Sequence, residues 1–203
     1  WDLRLDADEG FMPEALEELK KKLPALPPDV TGVIHKRRHI FLGRWMKHGV
    51  YPVKLLRLFR HGAARCEQRH MDEHMELSRG RAVEFEHDFV DENLNGRGWG
   101  AHKHVDYSAR ELADLEDILS SAAADSGING QAERKRAMKE RYARQPLFWR
   151  SFAYFCYRYF LKLGFLDGRE GFLWHFMQGW WYRTLVDARQ FEKQKKGSGK
   201  TAR

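Results

Sequence analysis

Leu3–Glu14, LRLDADEGFMPE, is the stretch on which the interpretation of the fold depends. Its apolar-polar alternation runs into acidic residues, which predicts a short strand, Leu3–Asp6, that ends in carboxylates. Gly10 breaks this strand, and Pro13 suits the first turn of a helix that we expect over Glu14–Leu23. A strand followed by a helix is typical of proteins that combine sheet and helix.

The rest of the chain divides into a mixed part and a helical part. Up to about Gly100 strands and a helix alternate, which favours an α/β or α+β fold, and the remainder is helical. Strands are expected at Val30–Ile34, Ile40–Leu42 and Val53–Phe59, with a hairpin of Met75–Leu77 and Ala82–Phe89. Helices are expected at Asp106–Ala124, with Ser108 as N-cap and Glu111 completing a capping box, at Gln131–Tyr142, and at the aromatic-rich Leu147–Leu163 and Phe172–Phe191.

Charge and aromatic residues are divided in the same way. Residues 1–130 hold 19 basic and 23 acidic side chains, whereas residues 131–203 hold 17 and 6, so the formal net charge of +7 combines −4 and +11. Of the 27 aromatic residues, 16 lie between Leu147 and Phe191. A segment that is both basic and aromatic indicates an anionic surface as partner, either a membrane or a nucleic acid.

Several classes of protein are disfavoured by what the sequence contains. Two cysteines, Cys66 and Cys156, cannot form a disulfide framework or a four-cysteine zinc site. No run of about 18 uncharged apolar residues predicts a plain transmembrane helix. The sequence has no Walker-A loop, no G-x-G-x-x-G and no G-x-S-x-G, so covalent catalysis finds no support.

Asp6 and Asp8 are the first candidate site. Alternation along a strand would direct both carboxylates to one side, at a strand end where open α/β sheets bind ligands. Two adjacent carboxylates repel each other, and a hard cation such as Mg²⁺ relieves that repulsion together with substrate phosphates. The alternative interpretation is a solvated acidic turn.

Asp72 and Glu73, within RHMDEH, are a second acidic group. A carboxylate in a loop near a metal and phosphate site can take a proton from an attacking hydroxyl. The alternative is an exposed acidic turn. His102 and His104, on either side of Lys103, are candidate phosphate contacts or ordinary surface residues.

Arg150, Arg158 and Lys162 recur at helical intervals and predict a cationic stripe on an otherwise apolar helix. Such a helix can lie in a membrane interface, with aromatic side chains inward and cations at the head groups. Phe172–Val186 repeats this composition with three tryptophans. The alternative is that both helices pack as ordinary core. A nucleic-acid platform is disfavoured, because the aromatic residues are too many and too embedded among aliphatic ones.

Four stretches in order resemble family 2 glycosyltransferases of the bacterial kind that builds lipopolysaccharide core or exopolysaccharide. They are Leu3–Glu14, with its Asp-x-Asp; Phe41–Gly62, FLGRWMKHGVYPVKLLRLFRHG; Met71–His74, MDEH; and Lys103–Glu111, KHVDYSARE. Phe165–Ala188 also resembles this subgroup. The resemblance covers nearly the whole chain except the tail.

The resemblance implies an inverting enzyme that moves a sugar from a nucleotide-diphosphate sugar to a lipid-linked or polysaccharide acceptor. It implies that Asp6 and Asp8 bind the diphosphate through Mg²⁺ or Mn²⁺. Glu73, or its neighbour Asp72, would deprotonate the acceptor hydroxyl.

Three further residues take roles from the same resemblance. Asp91, within VDEN, stands near a position where many relatives have a histidine, and is a further candidate metal contact. Lys103 and His104 are candidates for binding the phosphate side of donor or acceptor.

The resemblance also predicts the organisation of the chain. Residues 1–125 would be the C-terminal half of a GT-A, Rossmann-like domain, residues 131–192 a helical membrane-associating region, and residues 193–203 a disordered basic tail. The nucleotide-binding half would precede Trp1, so we expect the chain alone to be inactive. We expect a cytoplasmic protein, peripheral on the inner face of the cell membrane, with no nucleic-acid partner. The alternatives are a non-catalytic membrane-surface adaptor or an inactive fragment.

Overall fold

A computed structural model of the chain describes residues 1–67, 74–120 and 130–200. These residues form two compact units. The first contains residues 1–67, 74–95 and 158–172, and the second contains residues 96–120, 130–157 and 173–200. The first is built around a mixed sheet and the second is helical, so the predicted α/β class with an aromatic-rich helical C-terminal region is confirmed at that level.

The described part of the first unit contains nine strands. They are β1 (Asp2–Leu3), β2 (Glu9–Phe11), β3 (Val30–Phe41), β4 (Arg44–Trp45), β5 (Val53–Phe59), β6 (Ala64–Cys66), β7 (Met75–Leu77), β8 (Arg81–Glu84) and β9 (Phe89–Glu92). The main sheet has the order β1-β5-β3-β9-β2, with β4 and β8 also paired to β3, and β6 and β7 form a separate ribbon.

Strand β3 organises the main sheet. One of its edges pairs antiparallel with β5 over Gly32–Arg37. The other edge pairs parallel first with β8 and then with β9. The sequence predicted two separate strands here, but VTGVIHKRRHIF is one strand, because its charged centre has partners on both sides. Gly32 permits a close approach, since a Cβ at this position would lie 2.7 Å from the Leu56 side chain.

Two sequence predictions about strands are wrong. The predicted strand Leu3–Asp6 ends at Leu3, and the chain turns before β2, which pairs with β9 instead of continuing beside β5. The predicted hairpin fails because β7 pairs with β6, whereas β8 runs parallel to β3. Gly80 makes this reversal possible, since its φ of +71° suits glycine and a Cβ there would lie 2.4 Å from Thr31.

Helix α1 (Pro13–Lys22) covers the sheet and confirms the helix predicted over Glu14–Leu23. It continues into a 3₁₀ turn, Leu23–Ala25. Buried Val33, Leu58 and Phe85 form a core cluster, which Leu19, Leu23, Leu26 and Val83 complete. The Glu18 carboxylate fastens the helix to the sheet, because it accepts hydrogen bonds from the backbone N–H groups of Glu86 and His87 at 2.9 Å each.

The remaining helices follow in sequence. They are α2 (Arg97–Ser120), α3 (Gly130–Ala143), α4 (Trp149–Cys156), α5 (Gly168–Trp174) and α6 (Tyr182–Lys200), with π-helical segments at Tyr157–Leu161 and His175–Trp181 and a 3₁₀ turn at Gly164–Asp167. In the second unit, Leu115, Ala143 and Val186 form a buried cluster, against which Leu112, Leu119 and Tyr182 pack. Among the described residues, no helix combines the length and the apolar character that crossing a membrane requires.

The capping box predicted at the start of α2 is wrong. The helix begins at Arg97, and Ser108 lies inside it, fully buried. Its hydroxyl donates to the Val105 carbonyl and accepts from Arg189 Nε, so the serine is a helix–helix contact. Glu111 lies 3.2 Å from Lys139 Nζ and pairs with α3.

Helix α6 extends beyond the point where the sequence predicts disorder. Residues 193–203 were expected to form a disordered tail, whereas the helix runs to Lys200. Lys193 pairs with Glu116 of α2 at 2.7 Å, and Lys196 pairs with Glu192 at 2.6 Å. These ion pairs favour helix in a segment whose composition alone indicates a flexible tail.

Candidate functional site

The Asp-x-Asp segment forms a closed turn between β1 and β2, which we call the carboxylate turn (Asp6–Glu9). The Glu9 N–H donates to the Asp6 carbonyl at 3.0 Å, and the Asp6 N–H donates to Glu9 Oε2 at 3.1 Å. The second oxygen of Glu9 accepts from Nη2 of Arg57, on β5. The same Arg57 nitrogen lies 3.4 Å from Asp6 Oδ2. A single arginine thus holds both ends of the turn.

The Glu9–Arg57 pair is buried. The side chains are 2% and 10% exposed, and the guanidinium lies over the Phe89 ring, 5.3 Å from its centroid. Burial raises the pKa of Glu9 above its ordinary value, although Arg57 and the Asp6 N–H oppose the rise. Arg57 Nε has no hydrogen-bond partner among the described residues. This pair makes the carboxylate turn a fixed feature of the sheet.

The two aspartates of the turn differ in their surroundings. The Asp6 side chain is 58% exposed, whereas Asp8 accepts a hydrogen bond from Asn93 Nδ2 at 3.3 Å. The Glu92 N–H donates to the Asp8 carbonyl at 2.9 Å, so the turn lies beside the end of β9. Asp91 pairs with Glu9 across β2 and β9. The structure therefore brings the three predicted metal ligands to one corner of the sheet.

Asp91 already has two side-chain partners. Its Oδ2 shares a hydrogen bond with His39 Nδ1 at 3.2 Å and lies 3.4 Å from Arg37 Nη1. Burial acts to raise the pKa of Asp91, but His39, Arg37 and Arg57 outweigh it and hold the pKa below its ordinary value. A metal ion would compete with these partners for Asp91, whose role as a metal contact stays a prediction.

Asp6 and Asp8 stay a predicted ligand pair, and each carboxylate already has a protein partner, Arg57 Nη2 at 3.4 Å and Asn93 Nδ2 at 3.3 Å. Mg²⁺ is commonly bound by one or two carboxylates, with substrate phosphates and water completing its octahedron. Within residues 1–67, 74–120 and 130–200, no group of three or more histidine, cysteine or acidic side chains could hold a metal ion.

Asp72 and Glu73 lie outside the described residues, and their roles stay predictions. The residues on either side of residues 68–73 are described: the Glu67 N–H donates to the His74 carbonyl at 2.8 Å, next to the β6–β7 ribbon. Arg4, two residues before the carboxylate turn, donates to Cys66 Sγ and Met75 Sδ at 3.1 and 3.0 Å. The ribbon that leads to the acidic segment thus contacts the chain just before Asp6.

Lys103 and His104 lie on α2, in the second unit. The two ring nitrogens of His104 have partners there: Nδ1 lies 2.6 Å from the Gly100 carbonyl and Nε2 lies 2.7 Å from Gln178 Nε2. Its ring packs edge-on against Tyr182. Lys103 Nζ lies 5.3 Å from the centre of the Tyr107 ring. These contacts are those of a helix interface, and they engage both nitrogens that a phosphate contact by His104 would use.

The predicted cationic stripe is wrong. Arg150 is buried, and it donates to Asp187 Oδ1, the Ala143 carbonyl and Gln190 Oε1, each at 2.7 Å. Arg158 donates from Nε to the Gly49 carbonyl at 2.9 Å. Lys162 is the member of the stripe whose side chain is exposed. Helical spacing predicts one face for these cations, but α4 ends at Cys156, a π-helical segment follows, and Lys162 lies beyond that segment.

Sequence analysis missed two pairs that shape the first unit. One is Glu9–Arg57. The other joins His48 to Asp167, whose side chain is 3% exposed: the carboxylate accepts from the His48 N–H at 2.8 Å and lies 2.7 Å from Nδ1. The two partners are 119 residues apart. No local sequence signal links them, although a carboxylate within Leu-Asp-Gly, as at Asp167, commonly accepts hydrogen bonds from backbone N–H groups.

No protein-family model matches the chain, and no solved structure matches it.

Proposed function

We propose that the chain is the C-terminal part of an inverting family 2 glycosyltransferase that uses a nucleotide-diphosphate sugar. The observation that carries the proposal is the carboxylate turn: a buried Glu9–Arg57 pair fixes an Asp-x-Asp segment so that the Asp6 carboxylate faces solvent at a sheet corner. The reaction class, inverting sugar transfer, is taken from the resemblance of the motifs to family 2 glycosyltransferases. The assignment of residues 1–125 to part of a GT-A domain belongs to this proposal.

In this reaction the residues of the chain have separate tasks. Asp6 and Asp8 hold the divalent cation, Mg²⁺ or Mn²⁺, which when bound neutralises the charge of the nucleoside diphosphate as it leaves. Glu73, or Asp72, accepts the proton of the acceptor hydroxyl as that oxygen attacks the anomeric carbon. Inversion requires this base to act on the face opposite the leaving group. The resemblance assigns the phosphate side of donor or acceptor to Lys103 and His104, and that assignment stays a prediction.

The acceptor is a lipid-linked or polysaccharide glycan at the inner face of the cell membrane. The basic and aromatic composition of residues 131–203 supports a position at an anionic surface. A second candidate function is a membrane-surface adaptor without catalysis, which the exposed aromatic and aliphatic side chains of residues 148–173 favour. The two candidates differ in whether the carboxylate turn is needed for any chemistry.

The test is the double substitution Asp6→Asn with Asp8→Asn in the protein as its gene encodes it. Transfer of labelled sugar from nucleotide-diphosphate sugars to a membrane glycan extract should fall by roughly 100-fold or more, the scale of losing a group that stabilises a developing anion. Glu17→Gln is the matched control, because it removes an exposed carboxylate on α1. Unchanged transfer in the double variant would exclude the proposed site. Release of nucleoside diphosphate together with sugar transfer distinguishes the enzyme from a phosphotransferase.

A further inference from the structure

Phe160–Leu166, FLKLGFL, forms an exposed apolar surface in the first unit, which we call the apolar turn. It links the π-helical end of Tyr157–Leu161 to the 3₁₀ turn Gly164–Asp167. Five of its seven residues are large and apolar, and all five are exposed: Leu161 at 76%, Phe160 at 54%, and Leu163, Phe165 and Leu166 at 43–49%. Contiguous exposed apolar side chains of this kind indicate a contact surface.

The apolar turn is held firmly by its flanks. Asp167 is bound by His48 through two hydrogen bonds, and Arg44 Nη2 lies 3.4 Å from the Leu166 carbonyl. Within the turn, the Leu166 N–H donates to the Leu163 carbonyl at 2.9 Å. Gly164 is buried and packs against Gly171, where a Cβ would lie 2.7 Å from the Gly164 carbonyl. The apolar side chains are therefore exposed on a segment whose backbone is held in place.

The charge around the apolar turn is positive on its exposed side. Lys162, inside the turn, and Arg169, just after it, are exposed. The neighbouring acidic groups are compensated, because Asp167 is buried against His48 and Glu170 pairs with Arg44 at 3.6 Å. A surface that combines apolar side chains with exposed cations is complementary to an anionic bilayer.

We propose that the apolar turn inserts into the interfacial layer of an anionic lipid bilayer, with Lys162 and Arg169 at the level of the head groups. The charge beside the turn favours an anionic lipid surface over an apolar protein partner. Exposed Lys162 and Arg169 lie among and next to the apolar side chains, whereas Asp167 and Glu170 are already paired. The inference rests on the membrane association in the proposed function, and it is independent of sugar transfer.

Vesicle flotation tests the inference. The wild-type chain should float with vesicles of equimolar phosphatidylglycerol and phosphatidylcholine at low salt. Leu161→Ser with Phe165→Ser should weaken this binding about tenfold or more, since two exposed apolar side chains no longer enter the bilayer. Leu94→Ser is the matched control, because Leu94 is 87% exposed elsewhere in the first unit and should leave flotation unchanged. Lys162→Glu should weaken binding to these vesicles and not to phosphatidylcholine alone.

The outcomes separate this inference from the transferase proposal. Circular dichroism should show that the serine variant is folded, as expected for substitutions of exposed side chains. Flotation that is equal for wild type and the serine variant overturns the inference, and so does a wild-type chain that stays in the soluble fraction. A concentration-dependent dimer that the serine substitutions abolish would reassign the surface to a second copy of the chain. The Asp6→Asn, Asp8→Asn variant should float normally whether or not it has lost transfer.

Discussion

Replacing Arg57 with methionine should destabilise the first unit by an amount that depends on pH. Methionine retains much of the apolar stem that lies over Phe89 but removes the cation that faces the buried Glu9 carboxylate. Breaking one partner of a buried ion pair costs about 3–5 kcal/mol. The lower end, about 3 kcal/mol, is expected near neutral pH, because the Asp6 N–H still donates to Glu9 Oε2.

The pH dependence follows from the pKa of Glu9. Burial already raises this pKa above the ordinary value of 4.5, so the folded chain retains the Glu9 proton to a higher pH than the unfolded chain. The free energy of unfolding therefore falls as pH rises from 4.5 through the folded pKa. Removing Arg57 raises the folded pKa further and extends that fall upward, by about 1.4 kcal/mol for each additional pKa unit. Near pH 4.5 a protonated Glu9 needs no cation. The loss in the free energy of unfolding that Arg57→Met causes should then shrink to about 1 kcal/mol, the value of an ordinary hydrogen bond.

Urea denaturation of the wild type and Arg57→Met, at a pH near 4.5 and again near neutrality, measures the destabilisation and its dependence on pH. Glu9→Gln provides the matched control, because an amide of the same shape is neutral at every pH. In the Arg57→Met background it should recover about 2 kcal/mol at neutral pH, since no buried charge remains. A deficit that is equal at both pH values, or a double variant whose loss is the sum of the two single losses, would refute the reasoning.

Two further substitutions test the packing. Arg150→Met should lower the free energy of unfolding by about 3–5 kcal/mol, because it leaves Asp187 without its cation, and the Asp187 side chain is only 1% exposed. A chemical denaturation midpoint close to that of the wild type would contradict the burial of this pair. Gly80→Ala should cost about 1–3 kcal/mol, because it forces a φ of +71° and a Cβ 2.4 Å from Thr31. Gly10→Ala, where a Cβ meets nothing within 4 Å, serves as its control in thermal unfolding, and equal melting temperatures would show that the Gly80 turn relaxes.

Local patterns predicted the elements that local interactions define. Helix α1 follows a proline at its first position and ends before a run of prolines, and both signals lie within the segment itself. Strand β5 was predicted from its own composition. The wrong predictions concern pairing: β8 leaves the expected hairpin and lies parallel to β3, where Val33 pairs with Val83 across a separation of 50 residues. Strand partners at that distance are chosen by the packing of the whole sheet.

At the candidate site, too, local sequence patterns could not predict contacts between distant residues. Asp6 and Asp8 were identified because two carboxylates one residue apart, at the end of a predicted strand, repel each other unless a cation is near, and sequence alone displays that spacing. The residues that hold them, Glu9 and Arg57, were not, because a charged residue in a predicted strand or turn is ordinarily assigned to solvent. Only the pairing of β1 with β5 and of β2 with β9 brings the arginine to the turn. The carboxylates of the candidate site were therefore visible in the local sequence, whereas the contacts that hold them depend on the tertiary fold.

The aromatic-rich segment shows why periodicity can indicate the wrong surface. Spacing predicted one helical face for Arg150 and Lys162, but α4 ends at Cys156 and Lys162 lies beyond the π-helical segment that follows it. A helical period is also the same whether a face meets water, lipid or another helix, and Arg150 is buried against Asp187 of α6. Arg150 therefore cannot reach head groups. The exposed apolar side chains of Phe160–Leu166 lie instead beyond the end of α4, in the end of a π-helical segment and a 3₁₀ turn. A segment that leaves the helix exposes neighbouring positions of the chain together, so its apolar residues need not recur at a helical period. Consecutive apolar residues with a lysine among them are thus the sequence feature that favours contact with an anionic bilayer in this chain.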